Sequence, residues 1–319
     1  MNSVPAGVAA FPIAAGGLAL GLGTAAPEYS PEPLWQPLAA AGFLALVGIV
    51  VIWRVRAKGD PLAAAPRRGN TLLPESILWA IAAYLAASVV LQWATRLVWP
   101  IPIDPDTPDP VGALEGTLRQ DALRAVVATN GAAILGGLAV LTIIGRRFEG
   151  GARQFWSGRR RLGRGLLWVA GVTVAAAVLC NLTSHLTAFA IHWAWPEFEF
   201  AEHTVIEVLH SGLAPLGLVV LAWAGAVAIA PVAEEMFFRG MLQTFLVTYL
   251  SSRWVAILLT AVAFATVHSQ VQHLPALVLL AVLLGVAYER TGAIWVPVAA
   301  HALFNLSTLV GLAVFGGRS

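Results

Sequence analysis

Twenty consecutive residues from Leu34 to Trp53 carry no charge. A chain containing such a run must bury it in a large core or pass it through a bilayer. A helix needs about 20 predominantly apolar residues to cross roughly 30 Å of hydrocarbon. Comparable runs follow at Ser76–Trp99, Ala125–Ile144, Gly165–Ala190, Leu213–Leu250, Trp254–Ser269, Leu274–Tyr288 and Ala293–Phe315. Composition decides between core and bilayer. Of 319 residues, 58% are hydrophobic and only 11% are charged, where a soluble domain carries about 25% charge. The mean hydropathy is +0.78. Too little polar surface exists to keep these helices in water, and disorder, coiled coil and collagen are excluded by the same composition. The sequence therefore predicts an all-α polytopic transmembrane helix bundle of about eight spans. The stretch Ala6–Ala26 is long enough for a ninth, but it is rich in Gly and Ala and lacks the basic flank of a signal peptide.

The chain divides into an apolar N-terminal segment over 1–33, a set of N-terminal helices and loops over 34–212, and a C-terminal core over 213–316. The run over 213–250 is too long for one span, since its 38 residues would extend about 57 Å. It should emerge well beyond the bilayer or break near Ala230 and Pro231. A kink at Pro231 is the expectation, because proline removes a backbone donor and crowds the preceding turn. The single Cys180 excludes an intrachain disulfide.

Charge is confined to loops and alternates in sign. The loop over 54–68 holds Arg54, Arg56, Lys58, Arg67 and Arg68, and the loop over 146–164 holds seven arginines against one Glu149. The intervening segments are acidic, with Asp104, Asp106, Asp109 and Glu115 in one and Glu197, Glu199, Glu202 and Glu207 in the other. Lys and Arg are retained on the cytoplasmic side, so both basic loops are predicted to be cytoplasmic. The net charge of +2 thus reports topology, and nucleic acid is not an expected partner. Tryptophans at span ends, among them Trp99, Trp168, Trp193 and Trp254, read as headgroup-level anchors.

Ionisable residues inside spans are costly, and they mark function by default. Three clusters break the apolar rule, all in the last third: Pro231-Val-Ala-Glu234-Glu235-Met-Phe-Phe-Arg239, Phe264-Ala-Thr-Val-His268 and His301-Ala-Leu-Phe-Asn305. Residues four apart share a helix face, so Glu235 and Arg239 can pair, whereas Glu234 points about 100° away. His301 and Asn305 project together by the same geometry. A carboxylate, two imidazoles and a carboxamide in a water-poor site supply a base and hydrogen-bond donors. The plainer alternative is an ion pair that only holds helices together, with each histidine a satisfied core residue. His185, His192, His203, His210 and His273 sit at span ends or in the acidic loop and read as solvated or interfacial. Neither H-E-x-x-H nor G-x-S-x-G occurs, so zincin and serine-hydrolase templates do not apply.

In order and spacing these three clusters resemble the E-E-x-x-x-R, F-x-x-x-H and H-x-x-x-N motifs of the CAAX protease and bacteriocin-processing (CPBP) family. This family is also described as type II CAAX prenyl endopeptidase and lysostaphin-resistance-protein-like. The resemblance covers roughly Leu213 to Val314. It implies an intramembrane protease in which Glu234 and His268 activate water, His301 and Asn305 stabilise the oxyanion, and Glu235 with Arg239 position the first motif helix. Its substrate would be a membrane peptide or protein, including C-terminally lipidated CAAX-type tails, with the bilayer as the other partner. Glu234, His268 and His301 could also ligate zinc with one position left for water, and the family has been described both as metalloproteases and as glutamate-dependent. The residues leave that choice open. Two other classes use buried polar residues: a proton-coupled carrier, and a non-catalytic scaffold or immunity protein. Against the carrier, the first half of the chain has no counterpart to Glu234 or His268, although transporters commonly repeat such features.

Overall fold

The computed structural model describes residues 59–60, 62–63, 65, 69–99, 110–157, 162–197, 214–250, 252–268 and 273–315. The expected first span Leu34–Trp53, the stretch Ala6–Ala26 and most of the basic loop 54–68 lie outside these residues. So do Asp104, Asp106, Asp109, Glu199, Glu202 and Glu207. Among the described residues the chain is helical throughout: α1 Pro74–Val98, α2 Pro110–Arg147, α3 Gly151–Ser157, α4 Leu162–Ala194, α5 Leu216–Leu250, α6 Arg253–Thr266, α7 Leu274–Thr291 and α8 Trp295–Phe315. Six of these, all but α3 and α6, are long and apolar enough to cross a membrane. The molecule is an integral membrane protein built as a helical bundle, as its hydropathy predicts.

Local chemistry sets the helix ends. Pro74 opens α1, where a missing N–H leaves nothing unsatisfied. The Ser252 hydroxyl accepts from the Val255 N–H at 3.4 Å at the start of α6. Gly292 ends α7 in the left-handed region at φ 71°, and its N–H bonds the Tyr288 carbonyl; only glycine adopts that turn without steric cost.

Large apolar side chains face both inward and outward. Trp79, Val90 and Leu97 of α1 and Leu167, Phe189 and Trp193 of α4 are exposed, as lipid-facing positions must be. Inside, α4 packs Val172, Ala176 and Cys180 against Leu280 and Leu284 of α7 and Ala300 and Phe304 of α8. A second core joins Ile77 of α1, Val140 and Ile144 of α2, and Met236 and Met241 of α5. A third gathers Phe238, Ile257, Phe264 and Val278 around the fully buried Leu62.

Three expectations change. The long run over 213–250 does not break at Pro231. It continues as one 35-residue helix that widens into π-helical turns at Gly225–Ile229 and Met236–Gln243, with an α segment Ala230–Glu235 between them. A wider turn accommodates the missing proline donor without interrupting the helix. The expected loop over 100–121 is helical from Pro110 onward. Charges such as Glu115 and Arg119 end the hydropathy run, but they are good helix formers. The basic segment 146–164 is likewise not only loop. Helix α3 lies within it, and Phe155 is buried against Phe148 with ring centroids 5.3 Å apart.

Candidate functional site

Helices α5, α6 and α8 bring the three motifs together around the ring of Phe264. His268, two residues past the end of α6, lies 4.7 Å from it and His301 of α8 lies 5.8 Å away, centroid to centroid. The Arg239 guanidinium of α5 stands 4.8 Å from the same centroid. Phe238 packs edge-on at 5.1 Å. The aromatic residue of F-x-x-x-H is thus a hub touching all three helices.

Glu235 and Arg239 form the pair that their spacing predicts, 2.7 Å apart and both fully buried. The same oxygen, Glu235 Oε1, also accepts from His301 Nδ1 at 2.9 Å. One carboxylate therefore ties the first motif to the third, across a sequence separation of 66 residues. Arg239 also donates through Nη2 to the Ala281 carbonyl at 3.2 Å.

Hydrogen bonding fixes which ring nitrogens face the site. His268 Nδ1 lies 2.7 Å from the Phe264 carbonyl oxygen. A carbonyl only accepts, so Nδ1 carries the proton and Nε2 presents its lone pair when the ring is neutral. His301 commits Nδ1–H to Glu235 and also leaves Nε2 for the site. Both Nε2 atoms and both oxygens of Glu234 are buried without a hydrogen-bond partner among the described residues. Buried polar atoms left unmatched are expensive, and these four, on three motif residues, have hydrogen-bonding capacity to offer a polar ligand.

Asn305 is placed by an interaction that originates in Pro231. In a π register the carbonyl of residue 226 would be bonded by the N–H of residue 231, and proline has none. Ala226 accepts instead from Asn305 Nδ2 at 2.8 Å. A carboxamide nitrogen has two donors, so this anchor leaves one N–H for a substrate.

Glu234 stands apart from this contact set. It lies in the wall of a cavity of about 280 Å³ with Ala233, Phe237 and Val267, the residue preceding His268. The opposite wall comes from α1 and α2, including Tyr84, Gly136 and Gly137. The cavity is almost entirely apolar, and among the described residues Glu234 is the carboxylate in its lining. Among the described residues no three His, Cys, Asp or Glu side chains are grouped to hold a metal ion. The zinc set of Glu234, His268 and His301 is therefore not assembled, and the arrangement lends a metalloprotease reading no support.

Spacing within single spans did not reveal Gln243 and Glu289, both fully or almost fully buried. Gln243 donates to Glu289 Oε1 at 2.9 Å and to the Gly285 carbonyl at 3.2 Å. A signal was present, since Glu235, Arg239 and Gln243 recur every four residues as one polar stripe.

Comparison with known families matches residues 216–307 to the family described as type II CAAX prenyl endopeptidase Rce1-like. The C-terminal core thus matches the family that its three motifs resemble. An Escherichia coli relative described as an uncharacterized 24.3 kDa protein is 38% identical over 77 residues, 23% of this chain. The match spans 36% of that relative's length. No solved structure matches.

Proposed function

We propose that the chain is an intramembrane endopeptidase that hydrolyses a peptide bond of a membrane-associated or C-terminally lipidated, CAAX-type protein. The observation that carries this reading is the set of unpartnered polar atoms on Glu234, His268 and His301, buried beside an apolar cavity. In this reading a water entering with the substrate donates to His268 Nε2 and gives its other proton to Glu234 as its oxygen attacks the carbonyl carbon. Negative charge gathers on the former carbonyl oxygen. The remaining Asn305 N–H and, when its ring is protonated, His301 Nε2–H donate to that oxygen. Collapse breaks the C–N bond, and Glu234 passes its proton to the departing nitrogen. No step requires a metal.

The test compares detergent-purified wild type with Glu234→Gln and His268→Ala on membrane-anchored peptides, including prenylated tails. Each variant should lose about 100-fold or more in kcat, the usual worth of a positioned acid–base group, while thermal unfolding stays close to wild type. A folded Glu234→Gln protein with full activity would overturn the assignment.

A further inference from the structure

We propose that Glu289 is a positioning residue that holds the helix bearing Glu234 in register with the helix that leads into His268. This rests on the peptidase reading for its kinetic consequence, though not for its geometry. The two oxygens of Glu289 go to different helices. Oε1 accepts from Gln243 of α5 at 2.9 Å, and Oε2 faces Arg253 Nε of α6 at 3.7 Å. Arg253 also donates through Nη1 to the Leu62 carbonyl at 2.9 Å, so α6 is fixed at its first turn.

The contacts of α5 with α7 form a matched ladder. Arg239 donates to the Ala281 carbonyl and Gln243 to the Gly285 carbonyl, each at 3.2 Å and each across 42 residues. Glu289 continues this row one turn beyond Gly285. The ladder requires close approach, because a Cβ at Gly285 would lie 2.8 Å from Gln243 Oε1. Glu289 thus closes the far end of the same row that begins at the Glu235–Arg239 pair. Gln243 lies about 13 Å along α5 from Glu234, and Arg253 lies about 20 Å along α6 from Thr266, two residues before His268. Slip or rotation at this clamp moves both groups relative to each other, although Glu289 touches neither. Misplacement of reacting groups by about 1 Å can cost about 100-fold in rate.

The experiment uses the full chain in detergent with Glu289→Leu, which removes both contacts, and Glu289→Gln, which keeps an acceptor for Gln243 but drops the charge facing Arg253. Kinetics on a membrane-anchored peptide are measured beside spin-label distances between V220C on α5 and L259C on α6 in a C180A background. Both label sites are exposed. Glu289→Leu should lose up to about 100-fold in kcat, with KM little changed and the distance distribution shifted or broadened. Glu289→Gln should fall less on both readouts, and it decides the matter alone if Glu289→Leu does not fold. Unchanged kcat with unchanged distances, or activity lost only in proportion to the folded fraction, overturns the proposal. If wild type cleaves no peptide, the peptidase reading fails, and unchanged distances would still overturn the positioning role.

Discussion

Adjacent Glu234 and Glu235 have opposite dependences on their surroundings. Glu235 is engaged by Arg239 and His301, whereas Glu234 has no partner on either oxygen among the described residues. Removing one member of a buried, hydrogen-bonded pair leaves the other charged and unmatched, which costs about 3–5 kcal/mol. Arg239→Ala should therefore act on stability, leaving Glu235 without its guanidinium partner and freeing the Ala281 carbonyl, and a lowered thermal midpoint in detergent is the measurement. Glu234→Gln strands nothing and should act on rate alone. A reversal of these two patterns would mean that the roles of the carboxylates are exchanged. The Glu235–Arg239 pair is legible in the sequence because both residues lie on one helix at four-residue spacing. The His301 contact is not, since only packing of α8 against α5 brings it within reach, and the same holds for the Glu289 clamp.

At the scale of the helix, α5 shows how an apparent defect becomes a mounting for the site. The sequence announces an anomaly in a run too long for one span with a proline in its middle. It cannot announce the form, because a kink and a widened turn both answer a missing donor. The π-helical turn at Gly225–Ile229 leaves the Ala226 carbonyl to Asn305. Replacing Pro231 with alanine restores an N–H that can compete for that carbonyl. Helix stability should hold or rise, since proline in a helix interior costs about 3 kcal/mol. Cleavage should nevertheless fall, because Asn305 loses its anchor. Thermal unfolding and kcat measured on Pro231→Ala separate the two, and full activity would show that Asn305 needs no such mounting. The remaining helix boundaries were readable where apolar runs coincide with helices. They were missed at the start of α2 and at α3, where the helix continues through or forms within polar sequence.

For the whole molecule, the motif helices do not make the cavity alone. Part of the cavity wall beside Glu234 belongs to α1 and α2, with Thr129 and Asn130 among its polar residues, and lies outside the matched residues 216–307. Arg146, Arg147 and Arg153 lie at the α2–α4 connection, where charge makes orientation testable. Under the positive-inside rule an R153C reporter in a C180A background should react with a membrane-impermeant maleimide only after permeabilisation. Labelling in intact cells would invert the topology. The cavity itself gives a test of what enters it. A Cβ at Gly137 would rest 3.7 Å from Ala233 Cβ, an ordinary contact, so the first carbon of a larger side chain fits and the rest must project into the space beside Glu234. Gly137→Leu should leave Glu234, His268, His301 and Asn305 in place and the thermal midpoint within a few degrees, since loss of a helix-interior glycine favours the helix by about 1 kcal/mol. It should sharply reduce cleavage of peptides with a bulky apolar group near the scissile bond and spare those with a small one. Equal loss on both substrates would mean that the cavity admits water or the backbone alone, and that substrate selection lies elsewhere in the molecule.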